Sequence, residues 1–209
     1  MSIIKDWKQE FCTIPNLLSL FRIILVPVYV TIYLNATDVR DYYLAGGILA
    51  VSCLTDMIDG KIARKYNLVT DFGKFIDPLA DKFMVLGALL AIVYRSETLR
   101  PFLFWAAVVV IFRELAVTSI RLVVSGSSGI VVAANMLGKI KTVMQIIFIS
   151  TVFIEPALYA IPFVGNLLPA WWVENVPLSY LTGGLTVLFT VWSGINYFIG
   201  MWKYLDPEK

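Results

Sequence analysis

Residues 55–82 read TDMIDGKIARKYNLVTDFGKFIDPLADK, and four of the five aspartates in this stretch are arranged in two pairs. Asp56 and Asp59 are three residues apart, so both side chains lie on one face of a helix. Asp77 and Asp81 are four residues apart and share a face in the same way. A short turn between the pairs lets two helices return antiparallel. The spacing therefore predicts that all four carboxylates converge at one end of a helix pair.

The composition of the chain is that of a membrane protein. Of its 209 residues, 59% are hydrophobic and 15% are charged, and the mean hydropathy is +0.79. Soluble domains are about 45–50% apolar and about 25% charged. The net charge is only +2, and no basic run with interleaved aromatic residues is present, which argues against a nucleic-acid partner.

Six windows of the sequence have the length and apolar character that a membrane-spanning helix needs, which is about 20 residues. They cover residues 17–34, 42–63, 77–94, 101–124, 131–153 and 180–202. No long linker, repeat or low-complexity tract separates them. The sequence therefore predicts an all-α integral membrane fold with six transmembrane helices in a single domain over residues 1–209.

The distribution of Lys and Arg predicts the orientation. If the N-terminus is cytoplasmic, 14 of the 17 Lys and Arg residues fall on the cytoplasmic side, as the positive-inside rule requires. Both termini and the aspartates are then cytoplasmic, in the cell membrane, and segment 155–179 lies outside. Ahead of the first window, Ile3, Ile4, Trp7 and Phe11 form one apolar stripe, which predicts a short amphipathic helix on the membrane surface.

The chain contains no histidine, which removes histidine-based catalysis and histidine-ligated metals. Oxygen ligands favour Mg²⁺ or Mn²⁺. Four neighbouring carboxylates repel one another near a bilayer, and two divalent cations would compensate them, as in sites that act on phosphates. Gly60 leaves room for a ligand, and Arg64 is placed to bind a phosphate. Alternatively, the aspartates are interfacial charges that pair with Lys61, Lys74 and Lys82.

The stretch also matches the pattern D-x2-D-G-x2-A-R-x8-G-x3-D-x3-D at every fixed position. These positions are filled by Asp56, Asp59, Gly60, Ala63, Arg64, Gly73, Asp77 and Asp81. The pattern resembles the signature of the CDP-alcohol phosphotransferase family. The resemblance implies an enzyme that transfers a phosphatidyl-type group from a CDP-linked donor to an alcohol and releases CMP.

The resemblance also implies roles for individual residues. The implied ligands of two divalent cations are Asp56, Asp59, Asp77 and Asp81. Asp81 would in addition act as the general base on the acceptor hydroxyl, and carboxylates are the candidate bases that this site offers. The residues implied to contact the CDP-linked donor are Gly60, Ala63, Arg64, Thr70, Asn16 and Ser19.

Four cations near the cytoplasmic ends of the fourth and fifth windows point to the acceptor. They are Arg113, Arg121, Lys139 and Lys141. Such a cluster predicts an anionic acceptor that is bound through a phosphate, with Glu114 pairing with one of the cations. Alternatively, the four are ordinary cytoplasmic charges that bind anionic lipid head groups.

Further stretches resemble the family members that join glycerol 3-phosphate to CDP-diacylglycerol. These stretches are IPNLLSLFRIILVPV (14–28), FRELAVTSIR (112–121) and GKIKT (138–142). The resemblance implies those two substrates, contact with membrane lipid and a homodimer. The same reaction with inositol phosphate, serine or phosphatidylglycerol as acceptor stays open. Outside this enzyme class, a cation transporter or a scaffold is the alternative, since intramembrane carboxylates also mark ion pathways.

Overall fold

The computed structural model describes residues 13–66, 68, 70–128 and 136–205, which are helical with short connections and without a β-strand. The helices are α1 (Ile14–Leu34), α2 (Val39–Tyr66), α3 (Asp71–Arg95), α4 (Arg100–Ser128), α5 (Met136–Tyr159), α6 (Pro162–Gly165), α7 (Ala170–Asn175) and α8 (Pro177–Leu205). The all-α prediction is thereby confirmed. The predicted surface helix at residues 3–11 lies outside the described residues.

Five helical stretches are long and apolar enough to cross a membrane, which agrees with a multi-pass membrane protein. They are Ile14–Leu34, Val39–Ala63, Arg100–Arg121, Met136–Tyr159 and Ala170–Trp202. The sixth predicted window, 77–94, is helical as part of α3 but is not among these five. The reason is that Asp77, Asp81 and Lys82 lie within it. Helix α3, which carries Asp77 and Asp81, is thus too charged to be recognised as a membrane span from its composition.

The contacts divide the chain into two compact units. The first unit comprises Met1–Ala91 and Pro156–Leu167, and the second comprises Ile92–Glu155 and Leu168–Lys209. Among the described residues, α1, α2 and most of α3 belong to the first unit. The second unit contains α4, most of α5, and α8. The aspartates lie in the first unit and the four candidate acceptor-binding cations in the second.

One face of α1 organises the first unit. Its buried residues recur every three or four positions and include Asn16, Ser19, Arg22, Val26, Tyr29 and Tyr33. In the apolar half of this face, the Tyr29 hydroxyl donates to the Met84 carbonyl at 2.6 Å. A Cβ atom on Gly87 would lie 2.7 Å from Val26 Cγ1, so glycine permits the close approach of α3. The polar half of the same face is thereby held against α2 and α3.

In the second unit, a buried carboxylate fixes the start of α8. Glu155 is 1% exposed and accepts hydrogen bonds from the Leu178 amide at 3.1 Å and the Ser179 amide at 2.8 Å. The Ser179 hydroxyl donates to it as well. The first amides of a helix have no partner within the helix and favour a negative charge. Glu155 therefore joins the end of α5 to the beginning of α8.

Candidate active site

Three of the four aspartates gather around Arg22 of α1, whose side chain is 0% exposed. Its Nη1 donates to Asp56 Oδ1 at 2.7 Å and also to Asp81 Oδ1. Its Nη2 donates to Asp59 Oδ2. One guanidinium thus joins carboxylates from both α2 and α3 to the middle of α1.

The fourth aspartate is held by the same face of α1. The Ser19 hydroxyl, one turn before Arg22, donates to Asp77 Oδ1 at 2.5 Å. Beside this contact is a cavity of about 430 Å³. The cavity is lined by Asp56, Met57, Asp59, Gly60, Lys61 and Asp77. The structure therefore brings all four aspartates to one region, and three of them face a common space.

The connection between α2 and α3 is fixed by Thr70. Its Oγ1 accepts from the Gly73 amide at 3.0 Å, which caps the N-terminus of α3, and from Asn16 Nδ2 at 2.9 Å. A Cβ atom on Gly73 would lie 2.6 Å from Asn16 Oδ1, and Asn16 is 1% exposed. The glycine of the signature is thus explained by packing, because α1 and the first turn of α3 meet there.

The remaining predicted donor residues lie on α1 and α2. Asn16 and Ser19 are buried, and their side chains bond to Thr70 and Asp77, respectively. Ala63 is one turn beyond Asp59 and is partly exposed. The backbone of Arg64 belongs to α2, while its side chain lies outside the described residues. Gly60 is the member of the predicted donor set that lines the cavity. The donor-binding roles stay predictions.

The aspartate cluster suits divalent cations in the chemistry of its donor atoms. Three carboxylates pair with one buried guanidinium and Ser19 holds a fourth, so negative charge is in excess, and oxygen is the ligand that Mg²⁺ and Mn²⁺ prefer. Arg22 binds one oxygen each of Asp56, Asp59 and Asp81. Over the residues that the structure describes, no three acidic or thiol side chains surround a single metal position.

In the second unit, three of the four predicted acceptor-binding cations make defined contacts. Lys141 Nζ donates to Glu114 Oε1, and Arg113 Nη1 lies 3.6 Å from the same oxygen. The Arg121 guanidinium carbon lies 5.9 Å from the centre of the Tyr197 ring. Lys139 is exposed. The predicted pairing of Glu114 is confirmed, and it involves a lysine from another helix.

Several buried polar atoms of this cationic region have no hydrogen-bond partner in the described structure. Two such donors are Arg113 Nε and the Tyr197 hydroxyl. A buried donor without an acceptor costs free energy, so each such group needs an explanation, of which a bound ion is one. Because the neighbouring charges are mainly positive, an anion is the kind of ion that these donors could bind.

Arg22 and Tyr197 are not among the site residues that the sequence predicts. The sequence does carry a signal for Arg22, because a charge inside an apolar membrane-spanning window is functional by default. Tyr197 carries no comparable signal, since a tyrosine in an apolar helix is ordinary. Its unpaired hydroxyl and its contact with Arg121 appear only in three dimensions.

The comparison with protein families agrees with this geometry. A family model described as CDP-alcohol phosphatidyltransferase matches residues 12–192. The match covers most of the chain and includes every aspartate of the site. The chain belongs to the CDP-alcohol phosphatidyltransferase family, and the resemblance found in the sequence is confirmed.

Individual relatives are more specific. A CDP-diacylglycerol–glycerol-3-phosphate 3-phosphatidyltransferase of Bacillus subtilis (strain 168) is 42% identical over 207 residues, which is 94% of this chain and 98% of the relative. A probable phosphatidylglycerophosphate synthase of Mycobacterium tuberculosis (strain H37Rv) is 31% identical over 91% of this chain and 82% of its own. A relative from Escherichia coli (strain K12), with the same name as the Bacillus protein, is 33% identical over 76% and 89%.

The substitution Gly73→Ala tests the packing between α1 and α3. The added methyl group would displace the buried Asn16 side chain, so we expect destabilisation of about 1–3 kcal/mol. Thermal unfolding of the purified protein in detergent measures the effect. The matched control is Gly47→Ala, because a Cβ atom there meets nothing within 4 Å. That change should be neutral or stabilising by up to about 1 kcal/mol, since alanine favours the helix.

A double-mutant cycle tests whether the contact with Asn16 is what requires a glycine at position 73. In an Asn16→Ala background, the Gly73→Ala substitution should cost markedly less, because the clashing amide is gone. Equal costs in both backgrounds would show that the glycine is needed for another reason.

Proposed function

We propose that this chain transfers the phosphatidyl group from CDP-diacylglycerol to glycerol 3-phosphate, giving phosphatidylglycerol phosphate and CMP. The observation that carries the proposal is the gathering of the four signature aspartates on one face of α1. Family membership and the printed activity of a relative that is 42% identical support it. Membership also favours a transferase over the cation transporter and the scaffold.

The donor would bind at the cavity beside the aspartates. A nucleoside diphosphate is anionic, and the carboxylates that line the cavity would repel it. We therefore assign Asp56, Asp59, Asp77 and Asp81 as ligands of two divalent cations, Mg²⁺ or Mn²⁺. Such ions, when bound, neutralise the site and polarise phosphate oxygens. Lys61 also lines the cavity and would add a positive charge for the diphosphate.

Asp81 is the carboxylate that we assign as general base. Its side chain is 50% exposed, whereas that of Asp59 is 5% exposed, so Asp81 is accessible to a substrate. Its bond to Arg22 fixes the orientation of the carboxylate. Asp81 takes the proton of the acceptor hydroxyl, the alcohol oxygen forms a bond to the phosphorus of the donor, and CMP leaves. No covalent bond to the protein is needed.

We assign the acceptor phosphate to the cations of the second unit. Arg113, Arg121 and Lys141 carry three positive charges, and Glu114 neutralises one of them. The unpartnered Arg113 Nε and Tyr197 hydroxyl are suited to phosphate oxygens, which accept several hydrogen bonds. Lys139, which is exposed, would add to the positive electrostatic potential of this site. Serine has no net charge and would not need such a cluster.

We also propose that the protein lies in the cytoplasmic membrane with the aspartates on the cytoplasmic side. The support is the five apolar helices and the placing of 14 of 17 Lys and Arg residues on one side by the predicted orientation. The same proposal includes an amphipathic helix at the N-terminus, a sixth membrane span at residues 77–94, and a homodimer.

An acceptor screen tests the proposed function. Purified protein is given CDP-diacylglycerol and one labelled acceptor at a time: glycerol 3-phosphate, serine, inositol phosphate or phosphatidylglycerol. We expect label to enter lipid from glycerol 3-phosphate only. The cations of the second unit argue against serine, and the printed activity of the relative argues against the other two acceptors, which also carry a phosphate. Incorporation of serine but not of glycerol 3-phosphate would overturn the choice of acceptor.

Arg121→Ala tests the acceptor site. Loss of one cation that contacts the phosphate should raise the KM for glycerol 3-phosphate about tenfold, which corresponds to about 1.4 kcal/mol. The KM for CDP-diacylglycerol should change much less. Arg100→Ala is the control, because Arg100 is exposed and, within the described part of the chain, donates to the carbonyls of Val93 and Tyr94. Equal increases in both KM values would remove Arg121 from the acceptor site.

Asp81→Asn tests the base. The amide keeps the shape of the side chain but cannot take the proton, so kcat should fall by about 10²–10⁴. Metal-dependent binding of CDP, measured by equilibrium dialysis, should persist. The control Asp71→Asn changes an exposed carboxylate that pairs with Lys74. Complete loss of CDP binding, or nearly normal kcat, in the Asp81 variant would contradict the assignment.

A further inference from the structure

We propose that Arg22 is a built-in counter-cation of the aspartate cluster, which holds the carboxylates together and competes with divalent cations for their oxygens. The inference rests on the proposed function, because that function assigns metal ions to these aspartates. It goes further by giving Arg22 the role of setting how tightly the ions bind.

The terminal nitrogens of Arg22 contact aspartates of the proposed metal site. Its side chain is 0% exposed, and a buried guanidinium is tolerated only when carboxylates pair with it. Both of its terminal nitrogens are engaged, by Asp56 and Asp81 on one side and by Asp59 on the other. The planar guanidinium thus bridges α2 and α3 from α1, which a lysine with a single point charge cannot do.

The charges explain why the cluster needs such a partner. Removing Arg22 would leave Asp56, Asp59 and Asp81 close together with no cation between them, and like charges at this range repel strongly. The helices that carry them would tend to separate. We therefore expect Arg22 to stabilise the fold most when divalent ions are withheld.

The same contacts oppose the binding of metal ions. Arg22 donates to one oxygen of each of three proposed ligands, so these oxygens share their electron pairs with a guanidinium. Its positive charge would also lie close to an ion bound by the same carboxylates, and like charges repel. Replacing Arg22 with a neutral residue should therefore strengthen metal binding.

Arg22 also keeps the aspartates in place, and this preorganisation would strengthen metal binding. Other contacts of the first unit do part of this work, however. Ser19 holds Asp77, Thr70 caps α3, and the Tyr29 hydroxyl bonds to α3 at Met84. These contacts limit how far the carboxylates separate when Arg22 is replaced, so removal of its charge should outweigh the loss of order.

The test is the substitution Arg22→Gln in the full-length protein in detergent. Mn²⁺ binding is measured by the loss of the free-ion signal in electron paramagnetic resonance. Thermal unfolding is recorded in EDTA and at saturating Mn²⁺. We expect the variant to unfold at a lower temperature in EDTA, to gain more from Mn²⁺ than the wild type, and to bind Mn²⁺ about tenfold more tightly.

Two further variants separate charge from geometry. Arg22→Lys keeps the charge but loses the bridging fork, so the unfolding temperature in EDTA should fall while the Kd for Mn²⁺ stays within about threefold of the wild type. If Arg22→Gln does not fold, Arg22→Lys still tests the proposal. Tenfold tighter Mn²⁺ binding by Arg22→Lys, which keeps the positive charge, would contradict the charge argument. Arg113→Gln, the same change at a largely buried arginine of the second unit, should leave the Kd for Mn²⁺ unchanged.

Each outcome decides the proposal. Weaker or unchanged Mn²⁺ binding by Arg22→Gln overturns the competition, and an unchanged unfolding temperature in EDTA overturns the holding role. Phosphatidyl transfer by the wild type is assayed in parallel with glycerol 3-phosphate. If transfer occurs while Arg22→Gln behaves like the wild type toward Mn²⁺, the role of Arg22 fails and the proposed function stands. If the wild type shows neither transfer nor Mn²⁺ binding, the proposed function itself fails.

Discussion

The contact between the Arg22 guanidinium and the carboxylates of Asp56, Asp59 and Asp81 is the interaction on which the first unit depends. A buried arginine alone and a group of carboxylates alone would each be too costly near a membrane. Together they offset one another, and they join α1 to α2 and α3. The side chains proposed for the chemistry are therefore also those that hold the unit together.

The two proposed substrate sites differ in charge. The first unit presents an excess of carboxylates, so our proposal needs added cations for a diphosphate to bind there. The second unit presents its own cations and buried donors, which is the basis for our proposal that a phosphate binds there directly.

Local spacing could be predicted from the sequence, and contacts between distant residues could not. The pairs at 56/59 and 77/81 lie on helices and meet, as the helical period requires. The bridge from Arg22 spans 34 to 59 positions and has no periodic signature. The reason for Gly73 is likewise a distant side chain, Asn16. The window at 77–94 is helical but too charged for a composition test to mark it as a span, because the site itself supplies the charges.

The most direct test of the central claim is the coupling between CMP release and lipid formation. Purified protein with Mg²⁺ and CDP-diacylglycerol should release CMP only after glycerol 3-phosphate is added, with one molecule of phosphatidylglycerol phosphate formed for each CMP. Asp59→Asn should abolish both products together, because Asp59 is assigned as a metal ligand and bonds to Arg22. Steady release of CMP without an acceptor, or full activity of the Asp59 variant, would contradict the account.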